Sequence, residues 1–313
     1  MIFAVLVAAA TSVATVADEP GASPPPAVTP GSAPAPLIET PTLVMNEPVT
    51  PATPVGKPEW PTLENPDAFS LSLTPRVWYT SPSGKIQLPA TSPGGQRVRV
   101  EKLNLDAPRA SPYGEATFRA GDFRFTFSGA GYEVDRSGTA DSAFRIGDVN
   151  VADGDVTDSQ FEFSTFNLSM GYRFYEKDFG KDRGRQAGRT VLRIEGEAGV
   201  RFYEIDISVT SGATSSGYDG SFGEIFGGVR AEMQLARNFS IDGVINGGGF
   251  ADSERSVSSI DGSIAFTWRP VEGIGVQLGW RQLLYNLQDG SGDGEFEYTG
   301  GMAGLFGGVV IRF

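Results

Sequence analysis

Charged side chains recur at even spacing in two stretches: Arg193, Glu195, Glu197 and Arg201, then Glu224, Arg230 and Glu232. In an extended chain that spacing puts them on one face, where carboxylates do acid–base work, hold cations or pair with arginines. The chain has no histidine and no cysteine. Ser-His-Asp and Cys-His nucleophilic catalysis, histidine-ligated zinc and disulfides are therefore excluded. Glu195 and Glu197 have the spacing of a catalytic carboxylate pair, but any strand of alternating charge has it too. We expect no enzyme activity, no cofactor and no metal. The acids Asp148, Asp153, Asp155 and Asp158, and Asp289, Asp293 and Glu295, lack the spacing of an EF-hand and read as solvated loops. A net charge of −13 argues against nucleic acid as a partner.

The elements that carry these residues alternate with a period of two. Phe69, Leu71 and Leu73 interleave with Ser70, Ser72 and Thr74, and Phe123, Phe125 and Phe127 with Arg124, Thr126 and Ser128. Ile274, Val276, Leu278 and Trp280 interleave with Gly275, Gln277, Gly279 and Arg281. Period two means strands, and many such segments separated by turn residues mean an antiparallel up-and-down barrel. We expect ten strands, with eight and twelve as alternatives, near 68–80, 113–120, 122–135, 158–175, 190–209, 220–236, 238–250, 256–270, 273–287 and 295–313. The joins after the second, sixth and eighth are tight. Others, such as 211–220 and 288–294, read as long loops, and 176–189 is a long basic exception. Residues 81–112 either extend the first hairpin or fold inward as a plug.

The two faces differ. Charges must avoid a hydrocarbon-facing exterior, so Ile264, Phe266 and Trp268 are assigned outward, with Leu192, Ile194, Ala198 and Val200. Lining the lumen we expect Arg76, Arg119, Arg124, Arg173, Arg193, Glu195, Glu197, Arg201, Glu224, Arg230, Glu232, Asp242, Asp261, Arg269 and Arg281, mixed in sign and largely filling it. Inward glycines such as Gly279 and Gly308 leave some room. Tyr79, Phe174, Tyr175, Phe202, Tyr203, Phe239 and Trp268 are placed as aromatic belts near strand ends. The rival is a soluble barrel, which would bury Leu192, Ile264 and Leu278.

Ahead of the strands the texture is different. Ile2 to Ala10 is an apolar run followed by small residues, the pattern of a signal peptide over 1–17. Fourteen of the 21 prolines fall in the first 66 residues, so 18–66 reads as a disordered Pro-rich periplasmic linker. Residues 67–313 form the transmembrane barrel.

The ending Gly307-Gly308-Val309-Val310-Ile311-Arg312-Phe313 resembles the C-terminal strand of bacterial outer-membrane proteins, with Val309, Ile311 and Phe313 as the matching assembly signal. More broadly, 68–313 resembles the small barrels of the OmpA, OmpX and opacity-protein kind. The resemblance implies a Gram-negative outer membrane, contact with its lipid and with the barrel-assembly machinery, and a structural or surface-interaction role. A narrow porin-like channel for ions or small solutes is the alternative. The linker is the candidate contact for a periplasmic or cell-wall partner.

Overall fold

The computed structural model describes residues 69–92, 96–179, 190–236, 238–271 and 273–313. The expected signal peptide and linker lie outside the described residues, as does most of the 176–189 join. The strands are β1 (Ser70–Gln87), β2 (Val98–Arg99), β3 (Arg109–Ala120), β4 (Phe123–Thr139), β5 (Phe144–Ile146), β6 (Val149–Val151) and β7 (Val156–Asp178). They continue as β8 (Val191–Ser211), β9 (Thr214–Ala236), β10 (Phe239–Ala251), β11 (Arg255–Val271), β12 (Ile274–Asp289) and β13 (Phe296–Arg312).

Ten of these close into a ring in the order β1-β3-β4-β7-β8-β9-β10-β11-β12-β13, with β13 pairing back onto β1 and every pairing antiparallel. Paired residues followed round from Ser72 pass through Ser169, Phe226 and Tyr285 and return to β1 at Gly84, twelve residues along. Such a stagger requires strands tilted by roughly 35–45°. The joins at Gly121-Asp122 and Gly212-Ala213 are two-residue turns, and both glycines sit at positive φ (58° and 60°), where a Cβ is strained. The second turn corrects the sequence reading: 211–220 is not a loop. Thr214 to Gly220 pair with Ile205 to Ser211. The inward apolar face of this hairpin comes from Ile205, Ile207 and Val209 of β8 and from Tyr218, which stacks on Phe296 at 3.7 Å, so the Ser, Thr and Gly texture of 214–220 alone does not separate it from a loop. β1 likewise runs on to Gln87.

On the long strands β7 and β8 the polarity of the two rows inverts partway along, apart from a bulge between Arg173 and Tyr175 that shifts the alternation at the base of β7. On β8 the outward row reads Leu192, Ile194, Ala198, Val200, Phe202 and then Glu204, Asp206, Ser208. The inward row reads Arg193, Glu195, Glu197, Arg201 and then Tyr203, Ile205, Ile207, Val209. β7 does the same, with Phe166, Leu168 and Met170 outward near its base and Phe161 and Phe163 inward above. The base end, which carries the Gly121-Asp122 turn and Phe313, thus has an apolar exterior and a charged interior. The mouth end has a polar exterior and an apolar interior.

The mouth-end interior is filled from both wall and loops. Phe163 stacks on Tyr285 at 4.9 Å, and Tyr298 meets Tyr285 edge-on at 5.0 Å and Phe161 at 5.8 Å. Over them lie Leu88, Val98, Val100, Leu103 and Leu105 from the β1–β3 connection, and Ile146, Val149 and Val151 from the β5–β6 hairpin, all buried. The 81–112 segment is therefore both a strand extension and a plug. Two contacts clasp the loops together: Lys102 Nζ donates to Ser142 Oγ at 3.1 Å, and Asp148 accepts the backbone N–H and the hydroxyl of Thr91, both at 2.9 Å.

Replacing Leu103 by alanine opens a cavity in this plug and should cost about 2–5 kcal/mol in denaturant unfolding, with faster proteolysis of the 96–106 segment. The Thr91 hydrogen bonds hold the Asp148 carboxyl below its usual range. Its contribution is therefore complete above the unfolded value of about 3.9 and is lost as pH falls through the lowered folded value. Protease protection of the plug should be flat near neutrality and fall on strong acidification. In Asp148→Asn that acid-induced fall should be smaller.

Candidate functional site: a charged lumen beneath an apolar plug

The base-end interior is a network of arginines and carboxylates brought together from across the ring. Arg124 Nε lies 2.8 Å from Glu195, and Arg119 lies 2.7 Å from Glu232 and 3.4 Å from Glu195, so two carboxylates share two guanidinium groups. Arg193 reaches Glu176 at 3.0 Å, and Arg173 reaches Glu176 at 2.7 Å and Asp122 at 2.9 Å, closing the base rim. Arg230 faces Glu197 at 3.7 Å, and Arg76 faces Glu115 at 3.3 Å.

The deepest group is Arg201, 1% exposed, just below the polarity inversion. It donates to Glu224 at 3.0 Å, to Asp261 at 3.2 Å, to Asn167 at 2.7 Å and to Ser259 at 2.7 Å. Arg281 donates to the same Asp261 Oδ2 at 2.8 Å and to Oδ1 at 3.1 Å, and its guanidinium lies over the rings of Tyr113 (4.8 Å) and Trp78 (5.1 Å). Arg201 lies likewise over Phe226 at 4.8 Å. Arginine suits this boundary, because its flat cation pairs with carboxylates at its edge and rests its face on aromatic rings.

Every residue assigned to the lumen from sequence lies on the inward row. Arg76, Arg119, Arg124, Glu197, Arg201, Arg230, Glu232, Asp242, Asp261, Arg269 and Arg281 surround one cavity of about 120 Å³. Glu195 and Glu224 are buried beside it, and Arg173 and Arg193 stand at its base. Asp242 lies across from Glu232 in register, and Arg269 donates to Ser240 at 3.1 Å. Glu195 and Glu197, the suspected pair, face different arginines. Sequence reading placed Glu115 and Asn167 inward without their partners, Arg76 and Arg201, and missed Trp78 and Tyr113 as cation-facing rings. Their inward parity was available, but not which strand they would face.

Three expectations are corrected. Charged residues do not fill the whole interior, since its mouth half is apolar and aromatic. Tyr203 does not join an outer belt: it is buried, and donates to Glu224 at 2.9 Å. The other belt candidates, Tyr79, Phe174, Tyr175, Phe202, Phe239 and Trp268, are exposed. Gly279 and Gly308 leave no room either. A Cβ on Gly279 would strike the Phe306 ring, and one on Gly308 would lie 2.7 Å from the Arg76 side chain. These glycines admit large neighbours rather than solvent.

Outside the mouth half, register aligns carboxylates. Glu133, Glu162, Asp206 and Asp219 face one another in a single row across β4, β7, β8 and β9. Like charges opposed across strands cost stability, so the row is an acidic collar held at some expense. Among the described residues, no three acidic side chains are arranged to hold a metal ion. The loop acids are instead engaged locally: Asp155 caps the Ala152 N–H at 2.8 Å, and Asp289 accepts from Tyr218 at 2.7 Å.

No protein-family model and no curated protein matches the chain. Solved structures with some likeness include Ail, the attachment invasion locus protein of Yersinia pestis, solved with the heparin analogue sucrose octasulfate. It has a TM-score of 0.30 and 8% identity, over 78% of this chain and 99% of that one. The toluene transporter TodX of P. putida gives 0.24 and 9%, over 79% and 91%. A FadL homologue of Pseudomonas aeruginosa gives 0.24 and 7%, over 79% and 90%. Likeness this slight says nothing of what the chain binds or does.

Truncating Arg201 to alanine would leave Glu224 and Asp261 buried with one cation fewer. We expect a loss of about 3–5 kcal/mol in unfolding experiments. Neutralising the partner as well, in Arg201→Met with Glu224→Gln, should recover a substantial part of it.

Proposed function

We propose that the chain spans a bacterial outer membrane as a barrel closed to solutes, with a non-enzymatic structural or surface-interaction role. The observation that carries the membrane part is the outward apolar belt. From Leu192 to Phe202 it runs for roughly 33 Å along the strand, or roughly 25 Å along the axis at a tilt near 40°, the height of a barrel's lipid-facing band. Leu278, Leu305 and Ile225 expose 64–67% of their surface within it. A soluble barrel would bury Leu278 and Ile264, and both face outward here. Exposed rings stand near the margins, Tyr79 and Phe202 toward the mouth, Phe174, Tyr175, Phe239 and Trp268 toward the base. In this reading Val309, Ile311 and Phe313 serve the assembly machinery.

Closure is supported by two obstructions in series, the paired charges below and the aromatic core with its loops above. The channel reading would need both to open. With the lumen occupied, the surface for interaction is the mouth: the acidic collar and the outer faces of the plug loops, which suit a cationic partner. A periplasmic or cell-wall contact through the N-terminal segment belongs to the same proposal.

The test is single-channel recording of the full chain in planar bilayers, with insertion verified separately by protease protection. We expect a silent bilayer. Stable, ion-selective steps from the intact chain would instead establish the channel.

A further inference from the structure

β9 has a free edge. On its β8 side pairing runs unbroken from Thr214 to Gln234, but on its β10 side it stops at Ile225. β10 ends two residues later, at Ala251, and turns over 252–254 into β11. The β8–β9 hairpin therefore rises past the β10–β11 hairpin, and among the described residues no strand pairs with Thr214–Glu224 on that side. The wall has a step there, just above the end of the apolar belt.

At the foot of the step lies a cavity of about 400 Å³ whose lining comes from both faces of the wall. Val200, Phe202 and Ile225 belong to the outward rows, and Phe222, Glu224, Val257 and Phe250, which pairs with Val257, to the inward rows. An unbroken wall cannot lend both faces to one cavity. The outer rim is apolar and open, with Ile225 67% and Phe202 51% exposed, and it continues the belt below. On the inner side the Glu224 side chain is fully buried. Its Oε1 accepts from Arg201, Tyr203 and Ser259, whereas its Oε2 has no hydrogen-bond partner among the described residues. A buried carboxylate oxygen ordinarily has a donor.

We propose that this seam is a side-entry binding site for a single-chain amphiphile carrying a hydrogen-bond donor. The alkyl chain occupies the apolar cavity, entering from the belt, and a hydroxyl or amine satisfies Glu224. The volume falls in the range of small-molecule sites. An extended peptide pairing with the free edge would leave both the apolar rim and the Glu224 oxygen unserved. The site goes beyond the closed-barrel reading but rests on its membrane placement.

The test uses the full chain in lipid nanodiscs, labelled with decan-1-ol bearing a terminal diazirine, with the sites mapped by peptide mass spectrometry. Labels should concentrate on the segments holding Phe222, Phe250 and Val257. The matching methyl ether, which cannot donate, should label them roughly tenfold less. Gly223→Trp, at a position where a Cβ meets only the Phe202 ring at 3.5 Å, should block labelling to a similar degree. Gly114→Trp, where a Cβ meets nothing within 4 Å, should leave it unchanged. Labels spread evenly over belt residues such as Phe125 and Leu278, or equal labelling by alcohol and ether, would overturn the site while leaving the membrane reading intact. Failure of the chain to enter nanodiscs would overturn both.

Discussion

A strand in a closed ring has one inward and one outward row, and nothing in its backbone lets the rows exchange places without a bulge. If the outside changes from apolar to polar partway up, the inside must be given the opposite change by side-chain choice alone. That constraint organises the protein. On β8 the crossing falls between Arg201 and Tyr203 inside and between Phe202 and Glu204 outside. Below that level the ring is apolar outside and charged inside, and above it the reverse, on a hydrogen-bonded wall that is stepped between β9 and β10.

The charged network follows from the same constraint. Below the crossing the interior must be polar, yet in a ring of ten strands it is too narrow to hydrate every charge freely. Cations and anions therefore meet directly, and partners come from distant parts of the chain: Arg119 and Glu232 are 113 residues apart. Above the crossing an apolar interior open to water would be a liability, and the connections after β1 and β4 close it. Their burial gives the plug a thermodynamic reason to stay seated, unlike a loop that merely lies across an opening. Arg201 joins the two regimes, with carboxylates along its edge and Phe226 against its face.

Much of this was legible in the sequence. The alternation through Phe123, Phe125 and Phe127 placed a strand, and the inward parity of the lumen arginines followed from keeping charge away from hydrocarbon. The inversion on β8 was also written out, in Tyr203, Ile205 and Ile207 against Glu204 and Asp206. It was missed because each strand was assigned a single pair of faces along its whole length. What could not be read was who meets whom. Cross-ring partners depend on the stagger, which is a property of the closed ring. For the same reason Gly279 and Gly308 looked like vacancies, when Phe306 and Arg76 occupy the space beside them.

The unequal heights of the hairpins have a local cause. β10 ends in Gly247-Gly248-Gly249, which offers few side chains to pack against a taller neighbour, whereas β8 and β9 carry Ile205, Ile207 and Phe222 above the crossing. Near its mouth end β10 has a single large apolar side chain on the inward row, Phe250 opposite Val257, and that ring is still 51% exposed. A lower wall at β10 is thus the expected result of a core that fills unevenly, and the gap opens where the belt meets the inverted interior. A closed barrel with one weak seam at its polarity boundary is what this distribution of side chains produces.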